Sequence, residues 1–88
     1  MRKFLIPLAA AGLMLGTAPP GAGARVRAVR EGSPAADAGV RAGDVVIAAG
    51  GHDVRTEADL EHALSEPGRK AVAVRRDAAI RILMVDLH

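Results

Sequence analysis

Only a few side chains in this chain could do covalent chemistry, and their spacing argues against each option. Ser33 and Ser65 are the only serines; neither stands in a Gly-x-Ser-x-Gly elbow, and Ser33 belongs to a structural turn and Ser65 to a helix end. His52, His62 and His88 have no i, i+4 partner and no cysteine beside them, so the spacing of a metal site is missing. Gly50-Gly51 is not followed by Gly-Lys-Ser/Thr and so does not build a phosphate loop. With no cysteine in the chain, thiol redox chemistry, a disulfide staple and a lipidated N-terminal cysteine are all ruled out. Neither a catalytic residue nor a cofactor or metal site is expected.

What remains is recognition by the main chain, which depends on the elements that present it. The organising stretch runs from Glu31 to Ile47. Gly32 and Ser33 leave a strand, and Pro34 opens a short helix at a position that tolerates its missing N–H. Gly39 stops that helix with a positive φ, and Gly43 reverses the chain into Asp44 and the buried run Val45-Val46-Ile47.

Around it, Ala24 to Val29 alternates as a half-buried strand, and Asp44 to Ala49 is apolar on both faces, as a central strand would be. Gly50-Gly51 signals a hairpin into His52-Asp53-Val54. Thr56 is an N-cap with Asp59 three residues on, and Leu60, Ala63 and Leu64 form one apolar stripe on a helix reaching about Ser65. Lys70 to Arg75 and Ile80 to Leu87 are closing strands, turned by Arg76-Asp77-Ala78, with Ile82-Leu83-Met84-Val85 apolar on both faces.

The ordered series Gly-Ser-Pro-Ala-Ala, Ala-Gly and Gly-Asp-Val-Val-Ile, followed by the Thr56 helix and two strands, resembles the PDZ domains of bacterial HtrA-type proteases over roughly residues 24 to 87. The resemblance implies an α+β fold, a small partly open β-barrel or sandwich with one short and one longer helix. It also implies binding of an extended or C-terminal peptide segment, which adds as a strand to a sheet edge beside the longer helix while a glycine-containing loop holds its carboxylate. Glu57, Glu61 and Leu64, at i, i+4 and i+7, would form the helix wall, unless Leu64 is purely core and the glutamates merely solvated. Glutamates in the groove would favour a basic or polar ligand residue.

The family's carboxylate loop and groove strand precede the strand at Ala24, and here that position has a second reading. Arg2-Lys3, an apolar run from Phe4 to Leu15 and the small residues Ala22-Gly23-Ala24 form the three parts of an export signal, with cleavage after Ala24. On that reading residues 1–24 are a signal peptide, residues 25–88 an incomplete PDZ-like domain, and the location periplasmic or secreted, with membrane contact only through an uncleaved leader. The competing reading makes Gly12, Leu13, Met14 and Leu15 a degenerate carboxylate loop and strand, with Met14 where the family has a glycine.

Composition narrows the partners further. The net charge of +2 comes entirely from Arg2 and Lys3, and from Arg25 onward the chain carries ten basic and ten acidic residues. Phe4 is the only aromatic residue. A neutral domain without rings lacks the electrostatic footprint and the stacking platform of a nucleic-acid binder. Two functions survive: an exported non-catalytic peptide- or protein-binding domain, and the regulatory piece of an HtrA-like serine protease or another PDZ-bearing peptidase.

Overall fold

The computed structural model describes residues 11–16, 21–65 and 67–87. The basic start of the chain, most of its first apolar run, Pro19-Pro20 and His88 lie outside these residues. The elements are β1 (Leu13–Leu15), β2 (Ala24–Val29), α1 (Pro34–Ala38), β3 (Val45–Ala49), β4 (His52–Asp53), α2 (Glu57–Ala63), β5 (Gly68–Arg76) and β6 (Ala79–Leu87). The strands form one antiparallel sheet in the order β1-β2-β3-β5-β6, with β4 hanging on β3. The α+β expectation of an open β scaffold with one short and one longer helix is met.

Local chemistry accounts for the punctuation. Ser33 caps α1 by accepting the Ala36 N–H, Pro34 sits in the first turn, and Gly39 leaves the helix at φ 95°. Gly50 and Gly51 both take positive φ between β3 and β4, the geometry of a tight hairpin of right-handed twist. At α2, Thr56 accepts the Asp59 N–H and Asp59 accepts the Arg55 N–H, so two free amides of the helix start are satisfied.

The core is aliphatic: Val26, Val46, Val74, Leu60 and Leu64 are all but fully buried, together with Ala11, Leu13, Val72 and Val85. β3 is central, between β2 and β5, as its two apolar faces imply. α2 closes at Ala63 with Leu64 as its C-cap, two residues before the expected end near Ser65. β6 differs more. Leu83, Val85 and Leu87 face the core, while Ile80, Ile82 and Met84 on the opposite face are 61%, 65% and 46% exposed. An edge strand needs only one buried face.

Residues 11–16 are part of the fold, with Leu13–Leu15 in the sheet and Ala11 in the core. Leu13 pairs with Val29, Met14 with Ala28 and Leu15 with Val26, and Arg27 bulges on β2 between the last two pairs. The small residues of the expected cleavage site are also built in. Gly23 donates to the Arg55 carbonyl at 3.2 Å, a Cβ on it would meet the Val46 carbonyl oxygen at 2.5 Å, and Ala24 is buried.

Candidate functional site: a free strand edge beside a glycine corner

β1 ends the sheet, with β2 as its only strand partner among the described residues. The Gly12 carbonyl accepts from Arg30 N at 2.7 Å, and Gly16 N donates to the Arg25 carbonyl at 2.9 Å. Both groups point at β2. Since the hydrogen-bonding direction alternates along a strand, the N–H and C=O of Leu13 and Leu15 turn to the open edge. This is the arrangement that can accept an added strand.

The corner before β1 is fixed by contact with the α1 cap. Gly12 has φ 90°, and a Cβ there would run into Oγ and Cβ of Ser33. Ser33 is itself held, donating Oγ–H to the Arg30 carbonyl at 2.6 Å while accepting the Ala36 N–H. The turn that opens α1 therefore also seats the start of β1. Met14 stands in extended backbone, and the positive φ of this stretch falls at Gly12, so the side chain in place of the family's glycine meets no backbone obstacle.

A hollow of about 290 Å³ opens at this corner, lined by Gly12, Leu13, Met14 and Arg30. Nothing in the sequence distinguishes Arg30, one of twelve basic residues. Its position after β2, with its N–H on the Gly12 carbonyl, is what makes Arg30 part of the wall of the hollow.

The three helix residues read from the sequence are not equivalent. Glu57 and Glu61 are exposed on α2, whereas Leu64, 1% exposed, belongs to the core as the helix C-cap. Leu13 and Leu64 share that core. His52 and His62 are exposed, and among the described residues no group of three or more His, Cys, Asp or Glu side chains could hold a metal ion. Among the described residues no helix is long and apolar enough to cross a membrane.

One buried charge is held elsewhere in the scaffold, at the entry to β3. Asp44, 1% exposed, accepts Nε and Nη2 of Arg76 at 2.8 and 2.7 Å and the Arg41 N–H at 3.0 Å. The hydrogen bond from Arg76 holds the Asp44 carboxyl below the usual carboxylate range, against the opposing effect of burial.

The fold is shared with solved structures. The PDZ domain of HtrA3 bound to a phage-derived ligand (FGRWV) superposes with a TM-score of 0.79 at 20% identity, over 88% of this chain and 82% of that one. The HtrA-type protease AlgW with decapeptide gives 0.78 at 20% identity, over 88% of this chain. The photosystem II D1 C-terminal processing protease gives 0.73 at 25% identity, over 90% of this chain. The chain spans 28% and 22% of the length of those two proteases. No curated protein matches the sequence. The family model for the PDZ domain matches residues 25–76, and the chain belongs to the PDZ domain family.

Proposed function

We propose that this chain is an exported, non-catalytic PDZ domain that binds an extended peptide, or the C-terminus of a protein, as an added strand on β1 beside α2. The observation that carries this reading is the open edge of β1, where the main-chain groups of Leu13 and Leu15 have no strand on their outer side among the described residues. Peptides accompany two of the similar structures, the HtrA3 domain and AlgW, which supports a peptide ligand here. The ligand carboxylate would enter the hollow lined by Gly12, Leu13, Met14 and Arg30, where the exposed Arg30 side chain would turn in as its charge-assisted partner. Glu57 and Glu61 would border the ligand from the helix and favour a basic or polar residue, with Leu64 contributing only from beneath.

Export rests on the basic start and apolar run of the first residues. An export signal cleaved after Ala24 and a groove built on β1 compete for residues 11–16, so N-terminal sequencing of exported protein decides which form carries the groove.

Calorimetric titration with matched peptides carrying free or amidated C-termini tests the binding mode. The free acid is expected to bind more tightly, with the difference reduced in Arg30→Ala. Equal binding of both forms would remove carboxylate capture, and no binding of either would remove the groove. The second reading, a regulatory domain of a longer peptidase, is favoured by the two long protease chains among the similar structures. A catalytic domain found in the same polypeptide would establish it.

A further inference from the structure

The place that β1 occupies is built by the rest of the fold without it. On its far side β2 is tied down by residues after Ala24: Arg25 pairs with Val45, Val26 N donates to the Asp44 carbonyl, and Gly43 N donates to the Val26 carbonyl, the last two at 2.8 Å. Ser33 is fixed by Arg30 and Ala36, again without β1. Into this seat residues 11–16 fit by a strict pattern. Ala11 is fully buried, Leu13 nearly so, and Leu15 packs against the same core. Gly12 takes a positive φ where a Cβ would run into Ser33. Backbone bonds close both ends, from Arg30 N to the Gly12 carbonyl and from Gly16 N to the Arg25 carbonyl.

We infer that this seat is a strand-acceptor site: in the chain processed after Ala24 it takes up an extended segment of another polypeptide with the pattern small-Gly-Leu-x-aliphatic. The inference rests on the export reading above. Processing there deletes β1 and leaves the β2 edge unpaired beside the space of Ala11 and Leu13, and such an edge is completed by a strand that brings its own apolar side chains. The pattern of the donor is that of the residues filling the seat in the unprocessed chain. The order of events also follows from the fold. Gly23 is packed against the Arg55 and Val46 carbonyls and Ala24 is buried, so the folded chain closes the bond that is cut. Processing therefore precedes folding, and the domain folds with the seat open. In the unprocessed chain the tethered β1 excludes competitors by its high effective concentration. A borrowed strand rebuilds β1 together with its outer edge, so in the processed form the groove proposed above exists only in the complex.

A site for a sequence-specific protease, inserted between Gly16 and Gly21 of the full chain, lets β1 be severed after the protein has folded. The probe is a fluorescent peptide with the sequence from Ala10 to Thr17, blocked at both ends so that it carries no free carboxylate, and followed by anisotropy in excess over the severed strand. The cut chain is expected to take up the probe and the uncut chain to leave it free. Probes carrying Gly12→Ala or Leu13→Asp should bind at least about tenfold more weakly, the first through the collision with Ser33 and the second through a charge in a buried place. Equal uptake by cut and uncut chains would put the probe on the outer edge of β1 and overturn the inference. So would uptake indifferent to both substitutions, no exchange at any probe concentration, or a cut chain that unfolds and is not refolded by the probe. A free-acid peptide titrated in parallel against the uncut chain reads the groove on the outer edge by itself, and its failure there leaves the result at the seat standing. N-terminal sequencing of exported protein that starts anywhere before Arg25 would remove the processed form and with it the need for a donor.

Discussion

Asp44 and Arg76 lie thirty-two residues apart and are joined by two parallel hydrogen bonds, Nε to Oδ1 at 2.8 Å and Nη2 to Oδ2 at 2.7 Å. Nη2 also donates to the Gly39 carbonyl at 2.7 Å. One guanidinium thus ties the end of β5 to the C-cap of α1 and to the entry of β3. Arg76→Lys cannot reproduce a planar fork and is expected to lower the melting temperature almost as far as Arg76→Ala.

The same pair sets a pH dependence. Asp44 titrates below the usual carboxylate range when folded, mainly because Arg76 donates to it. The unfolded chain therefore takes up a proton at higher pH than the native one. The stabilisation is complete above the unfolded value and is lost as pH falls through the folded value. Thermal melts from neutral to strongly acid pH should show the parent losing stability in acid, with a shallower loss for Asp44→Asn from a lower start. Parallel curves would mean that other carboxylates set the acid limb.

Gly12 separates steric from recognition effects. Gly12→Ala forces a Cβ into Ser33 at a positive φ and should detach β1 from the α1 cap, costing stability and peptide binding together. Met14→Gly removes an exposed side chain from the wall of the hollow without straining the backbone, and should weaken peptide binding with a smaller loss of stability than Gly12→Ala. Ser33→Ala removes the N-cap acceptor and is expected to cost about 1 kcal/mol. Urea melts of the three variants alongside peptide titrations test the ordering.

Most of the scaffold was legible because its punctuation is local: Pro34, Gly39, Gly50-Gly51 and Thr56 each fix backbone within a few residues of themselves. What stayed hidden is long-range. Arg76 reads as part of a turn and Asp44 as a strand entry, and nothing in their spacing says they meet. Arg30 is anonymous until β2 carries it to Gly12. The run Ile82-Leu83-Met84-Val85 suggests burial on both faces, but periodicity cannot tell a covered strand from an edge. Residues 11–16 are apolar and glycine-flanked, as both an export signal and a short strand would be.

The α2 residues should divide sharply by burial. Leu60→Ala empties a fully buried site and should cost about 2–5 kcal/mol. Glu57→Gln and Glu61→Gln alter exposed side chains and should stay within about 0.5 kcal/mol of the parent. If the two glutamates border the ligand, those neutral variants will lose preference for basic peptides at unchanged stability. A change in stability without a change in selectivity would return them to the solvated surface.

A chain beginning at Arg25, the product expected from cleavage after Ala24, puts the weight of β1 on trial. Such a chain lacks Leu13, which is 6% exposed, and Ala11, which is fully buried. It also lacks the backbone bonds that join Gly12 to Arg30 and Gly16 to Arg25. Burial of one leucine contributes about 1.5–3 kcal/mol. A domain of this size holds only on the order of 0.05–0.15 kcal/mol per residue in total. Losing β1 should therefore consume a large share of the margin and expose β2 as a new edge. The shortened chain is expected to melt earlier and with less cooperativity than the full one, and to bind no C-terminal peptide. A shortened chain that melted at the same temperature and still bound the free acid would show that β1 contributes neither to the fold nor to the groove.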